Sequence, residues 1–195
     1  MSLSRTVRER TGFQLSDLFR RYFVNTIFDS TFVVLGIIAA TSAEAVPNVE
    51  FAVSTLFAAS LAMGISTGVS VYEAESTEHE IRIGRLERAM LTSMEDSDLP
   101  RSLRATRMAV AFVNFLTPLL VASIASVPLL TYEAGLLPDF LVASAVSGAI
   151  GVGIIFGSGY YLGRLSRKTP WRKAVRMSVI AVLTFAALFL IEHFL

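Results

Sequence analysis

The chain has 195 residues, 53% of them apolar, and a mean hydropathy of +0.60, which excludes an ordinary soluble domain and points to a compact all-α polytopic membrane protein. It has no cysteine, which excludes disulfides, thiolate metal sites and cysteine nucleophiles. A net charge of +1 says little as a total and suggests no nucleic-acid partner, but the charges are distributed very unevenly.

Residues 1–21 carry five arginines and no long apolar core, so they read as neither a cleaved signal peptide nor a transit peptide. They form an expected cytoplasmic segment in which Phe13, Leu15, Leu18 and Phe19 would seat a short amphipathic helix on the membrane surface. Five apolar stretches follow, at about Tyr22 to Thr41, Phe51 to Tyr72, Met108 to Thr131, Phe140 to Gly163 and Met177 to Leu195. All 17 Lys and Arg lie before the first stretch, between the second and third, or between the fourth and fifth. The other two links hold acids and no base, so the positive-inside rule predicts a cytoplasmic N-terminus and an outer C-terminus. Tyr22, Tyr72, Tyr160, Tyr161 and Trp171 fall at the basic ends of the stretches, where amphipathic rings favour the interface.

The organisation follows as residues 22–72 for the first two spans, 73–107 for a cytoplasmic acidic helical segment and 108–195 for the last three spans. The second span is expected to run on into water as one long helix. No charge occurs from Phe51 to Tyr72, four glutamates and a histidine crowd residues 73–80, and no proline intervenes before Pro100. Ile83, Leu86, Met90 and Met94 mark an apolar stripe on that extension, and Asp98 has the chemistry of a helix start. In the third span Pro118 and Pro128 should kink the helix, with Asn114 and Thr117 available to bond the freed backbone. The fourth pairs small residues at i, i+4: Ser144 with Gly148, Ser147 with Gly151, Gly153 with Gly157 and Gly159 with Gly163, a spacing that lets helices approach closely in lipid.

Asp29 is the sharpest chemical signal. It lies about 12 Å along the first span, where a carboxylate needs water, a cation or a polar partner, and it shares a face with Asn25 and Gly36, so the acid is expected to face protein or a cavity. Along the second span Ser60, Met63, Thr67, Ser70 and Glu73 recur at steps of three and four, a polar track that leads to the glutamates. The Met63 thioether suits a softer transition metal better than Mg²⁺ or Ca²⁺. Glu73, Glu80 and Glu87 are seven residues apart, with no Lys or Arg three or four positions away, whereas Glu78 has Arg82 at i+4. Glu75 and His79, one turn apart, offer a two-ligand spacing, and oxygen donors plus an imidazole suit Fe²⁺ or Mn²⁺. No P-loop, dinucleotide fingerprint, Gly-x-Ser-x-Gly turn or zinc histidine pair is present, so no enzyme chemistry is expected.

The first span, RRYFVNTIFDSTFVVLGIIAATSA, the second, AASLAMGISTGVSVYEAESTEHE, and the tail beginning YYLGRLSRKTPWRKA together resemble the vacuolar iron transporter family, as a short prokaryotic-type member. The resemblance implies five spans and a homodimer whose first spans line a central path. It also implies export of Fe²⁺ or Mn²⁺ from the cytoplasm in exchange for protons, with Zn²⁺ or Co²⁺ as further cargo and no permanently bound cofactor. Asp29 and Met63 fall on matching motif positions, with Asn25, Ser60 and Thr67 along the path. Glu73, Glu75, Glu78, His79, Glu80 and Glu87 fall where the acidic helix collects metal. The chain departs from the pattern in its short cytoplasmic segment and at Thr55, where some members carry a further acid. The alternative is a non-transporting oligomeric membrane scaffold or sensor that presents its charged helix to a partner.

Overall fold

The computed structural model describes residues 3–42, 46, 48–90, 99–165 and 169–194, and side chains within them except those of residues 3–19, 86, 90, 99–103 and 192–194. The expected interfacial contacts of Phe13, Leu15, Leu18 and Phe19, the stripe positions Leu86, Met90 and Met94, and the helix start at Asp98 therefore lie outside what is described. The described residues form five helices: α1 (Leu3–Ser42), α2 (Val49–Met90), α3 (Leu99–Glu133), α4 (Phe140–Leu165) and α5 (Pro170–Phe194). All five are long and apolar enough to cross a membrane.

Three boundaries have a local cause. Asn48 Oδ1 accepts from the Phe51 amide at 2.8 Å and caps the start of α2. At the end of α3 the backbone turns through Gly135 at φ 75°, a left-handed conformation that glycine adopts without strain, while Leu136 N donates to Thr131 O at 3.0 Å. α5 starts at Pro170, seven residues before the apolar run, because proline at the first helical position lacks only an amide that would be unpaired anyway. α1 runs unbroken from Leu3, so residues 3–21 are helical and continuous with the first span, since neither a proline nor a turn cluster interrupts them.

α2 is one continuous helix of 42 residues, so it is roughly 63 Å long at 1.5 Å per residue, about twice the hydrocarbon thickness. Its uncharged part ends at Tyr72, and the charged remainder continues the same helix to Met90.

α1 is the hub and touches the other four helices, while α2 packs chiefly on α3 and α4 on α5. The main core joins Val34 and Ile38 of α1 to Ala52 and Leu56 of α2, Val121, Ala125 and Leu129 of α3, and Phe140 and Ala143 of α4. A second cluster, Leu35 with Ile155 and Ala181, ties α1 to α4 and α5. A third, Val71 with Val110 and Ala111 against Tyr22 and Tyr72, closes the end of the bundle where the basic links lie, called here the basic end.

Close approach of α2 to α3 depends on Gly64 and Gly68, four residues apart. A Cβ at Gly64 would collide with the carbonyl oxygen of Phe115, and one at Gly68 would lie 3.1 Å from the Phe115 side chain. In α4 the small residues split between two faces. Those at Gly148, Gly151, Gly159 and Gly163 are buried within the chain, Gly163 so tightly that a Cβ would sit 2.6 Å from Pro170 Cα. Gly153 and Gly157 face open space.

Candidate functional site

Asp29 lies in the middle of the α1 span, Arg20–Ser42, and its side chain is exposed on the single chain. Asn25, also exposed and one turn earlier, donates from Nδ2 to Asp29 Oδ2 at 3.0 Å. The exposed strip continues to Val33, and Gly36 beyond it is approached by Leu188 of α5. Among the described residues Asp29 forms no ion pair. The i, i+4 spacing puts Asn25 and Asp29 on one face as expected, but within the single chain that face is uncovered and does not turn toward protein or a cavity.

The adjoining flank of α1 is closed. Thr26, 4% exposed, donates from Oγ1 to Asn114 Oδ1 of α3 at 2.6 Å, and Asn114 Nδ2 donates to Val110 O at 2.8 Å. Ser30 and Thr31 donate to carbonyls of the preceding turn, at Thr26 O and Ile27 O. Pro118 has no amide proton for the Asn114 carbonyl, and the Thr67 hydroxyl of α2 reaches that oxygen at 3.3 Å while lying 2.9 Å from Met63 O. Thr67 thus serves the α2–α3 seam at the proline, Ser60 is buried in the interior, and Met63 is half-buried. The expected track along α2 divides: Ser60 to Thr67 lie against protein, while Ser70 and Glu73 are exposed.

At the basic end Glu75 departs most from its expected role. It is buried at the joint of α1 and α2, where the Tyr22 hydroxyl donates to Oε1 at 2.9 Å and Arg21 Nη2 reaches the same oxygen at 3.4 Å. Arg21 also donates to the Tyr22 oxygen at 2.8 Å and lies over its ring. This arrangement ties the two helices together and engages the carboxylate that was expected to pair with His79 at a metal.

His79 lies beyond the uncharged part of α2, half-buried beside α3. Its imidazole is held below the usual value, first by burial, then by the nearby charges of Arg107 and Arg82, against the opposing charge of Glu80. Glu78 pairs with Arg82 at 4.0 Å with both side chains exposed, as the i, i+4 spacing predicts, and such a pair contributes little. Glu73 and Glu80 are exposed and Glu87 is half-buried. Among the described residues no three Asp, Glu or His side chains converge as a metal shell. One chain thus presents single carboxylates and an asparagine, each able to contribute one or two donors.

At the opposite end, a wide, shallow cavity is lined by Asn48, Glu50, Tyr132 and Glu133. No protein-family model matches the chain, and no curated protein matches it.

Proposed function

We propose that two copies of this chain pack along the open strip of α1 and enclose a path through which a divalent transition-metal ion, Fe²⁺ or Mn²⁺, crosses the membrane in exchange for protons. The observation that carries the reading is the exposed Asp29 with its Asn25 partner at mid-span. An ionised aspartate at the centre of a membrane helix is disfavoured by about 2.5–3.5 kcal/mol on insertion scales, so a face that displays one needs a polar cover. A two-fold axis beside α1 supplies it from identical parts: two carboxylates and two amides would face each other, giving the oxygen-rich donor set that one chain lacks. Protons and metal then compete for the same carboxylate oxygens, which couples their movements.

In this reading the basic end faces the cytoplasm, and the exposed Glu73, Glu78 and Glu80 attract cations to the entrance. Glu75 holds α1 and α2 together at that entrance. Met63, half-buried on α2, remains a candidate soft donor if the helices separate. A second reading has one observation in its favour: Ala145, Ala149, Gly153 and Gly157 form an exposed small-residue face on α4, along which a scaffold would oligomerise without transport.

Because the chain has no cysteine of its own, single introduced cysteines separate the two. Asn25→Cys should cross-link into dimers in native membranes under mild oxidation, and Gly153→Cys should not. Cross-linking confined to Gly153→Cys would overturn the shared-path arrangement.

A further inference from the structure

We propose that the seam between α2 and α3 at the basic end binds the phosphate of an anionic phospholipid headgroup, with Arg107 and His79 as its direct partners. Two polar atoms there are buried and have no hydrogen-bond partner among the described residues: Nε of Arg107 on α3 and Nε2 of His79 on α2. A buried polar nitrogen without a partner is unfavourable, and two at one seam call for a group that the described residues do not supply. The Arg107 guanidinium lies over the Tyr72 ring at 5.9 Å from its centroid, which orients it at the limit of the uncharged part of α2. The charges that act on His79 are Arg107 and Arg82 on one side and Glu80 on the other, and Arg104, one turn before Arg107, is exposed. A metal cation would meet this surplus of guanidinium groups as repulsion. An oxygen-rich anion would meet a planar donor fork, an imidazole N–H and a positive field, the chemistry that suits a phosphate.

The position selects lipid over a free ion. One and two turns further along α3 from Arg104 stand Met108 and Phe112, 58% and 60% exposed. Phe112 stacks on Phe115, whose side chain fills the approach over Gly68, so the exposed ring stands close to the same seam. Ile65 and Val69 of α2 are also exposed. A headgroup held at Arg107 and His79 would have its acyl chains beside these side chains, the usual situation of a basic interhelical pocket at a membrane interface.

The test is native mass spectrometry of the full chain in detergent, titrated with phosphatidylglycerol and, separately, with phosphatidylcholine of the same chains. The wild type should retain phosphatidylglycerol in preference. Arg107→Gln should weaken that binding about tenfold, the loss of one charge-assisted contact, and Arg107→Lys should recover part of it. His79→Gln, which leaves α3 untouched, should weaken it in the same direction and reads the site independently if Arg107→Gln does not fold. Arg172→Gln, at an exposed base on α5, should leave it unchanged. Equal losses at Arg172 and Arg107 would mean a general attraction of anionic lipid to basic surface and would overturn the site. So would inorganic phosphate that displaces the lipid at comparable concentration, since a headgroup anchored by its chains should resist it.

Discussion

Thr26 and Asp29 stand within one turn of α1, and the edge of the protein interior runs between them. Thr26 is closed over by Asn114, and each polar atom of that contact has a partner at 2.6–2.8 Å. Asp29 has an amide from its own helix at 3.0 Å and otherwise open space. Both are polar residues in a stretch apolar enough to cross a membrane, so hydropathy alone treats them alike. The fold distinguishes them: a satisfied polar contact inside the bundle builds architecture, whereas the uncovered ionisable group is the one that the proposed second copy would cover. The comparison predicts that changes on the closed flank reduce stability, and that changes on the open flank leave stability intact and reduce function.

The largest effect on folding is expected at Asn114→Ala, which strands Thr26 and opens a void at the helix crossing. Unfolding of the purified protein should lose about 2 kcal/mol, and the fraction that remains folded should still transport. A variant that is fully stable but inactive would place Asn114 on the path and erase the distinction. Tyr22→Phe is the next in size. It removes one hydrogen bond to a buried carboxylate at the basic end and should lower stability by about 1 kcal/mol, with Glu75→Gln costing less in Tyr22→Phe than in the wild type because only the Arg21 contact at 3.4 Å is left to lose. Additive losses in that pair would show that Glu75 acts through other partners.

The smallest effect on stability belongs to the exposed acids. Glu73→Gln combined with Glu80→Gln should shift unfolding by no more than about 0.5 kcal/mol, while isothermal titration with Mn²⁺ should show weaker binding than in the wild type. Flat, identical traces for both proteins would end the proposed role of this helix in collecting metal and leave the Asp29 strip untouched.

The sequence carried the helices well, because five apolar runs separated by charged links admit few alternatives, and it carried the Asn25–Asp29 face through simple i, i+4 spacing. What it did not carry are contacts between residues far apart in the chain. Glu75 and His79 looked like a ligand pair on one helix, but Tyr22 engages Glu75 from 53 positions away and α3 brings Arg107 to His79. Thr67 looked like part of a track because its partner, a carbonyl freed by Pro118, lies 47 positions on. A readable signal of one such contact is Gly64 with Gly68. The same i, i+4 glycine spacing that marked α4 as a packing helix also marks the closest approach of α2 to α3.

The central claim, that the uncovered carboxylate of α1 handles the ion, is tested most directly by metal flux in proteoliposomes containing wild type or Asp29→Asn. The substitution keeps the shape and the amide contact while removing the charge. Saturable Fe²⁺ or Mn²⁺ uptake driven by a proton gradient should appear in the wild type and fall to the level of protein-free vesicles in Asp29→Asn, with unchanged thermal unfolding. Equal flux in the two proteins would contradict the account, and so would no flux in a wild type shown to be folded.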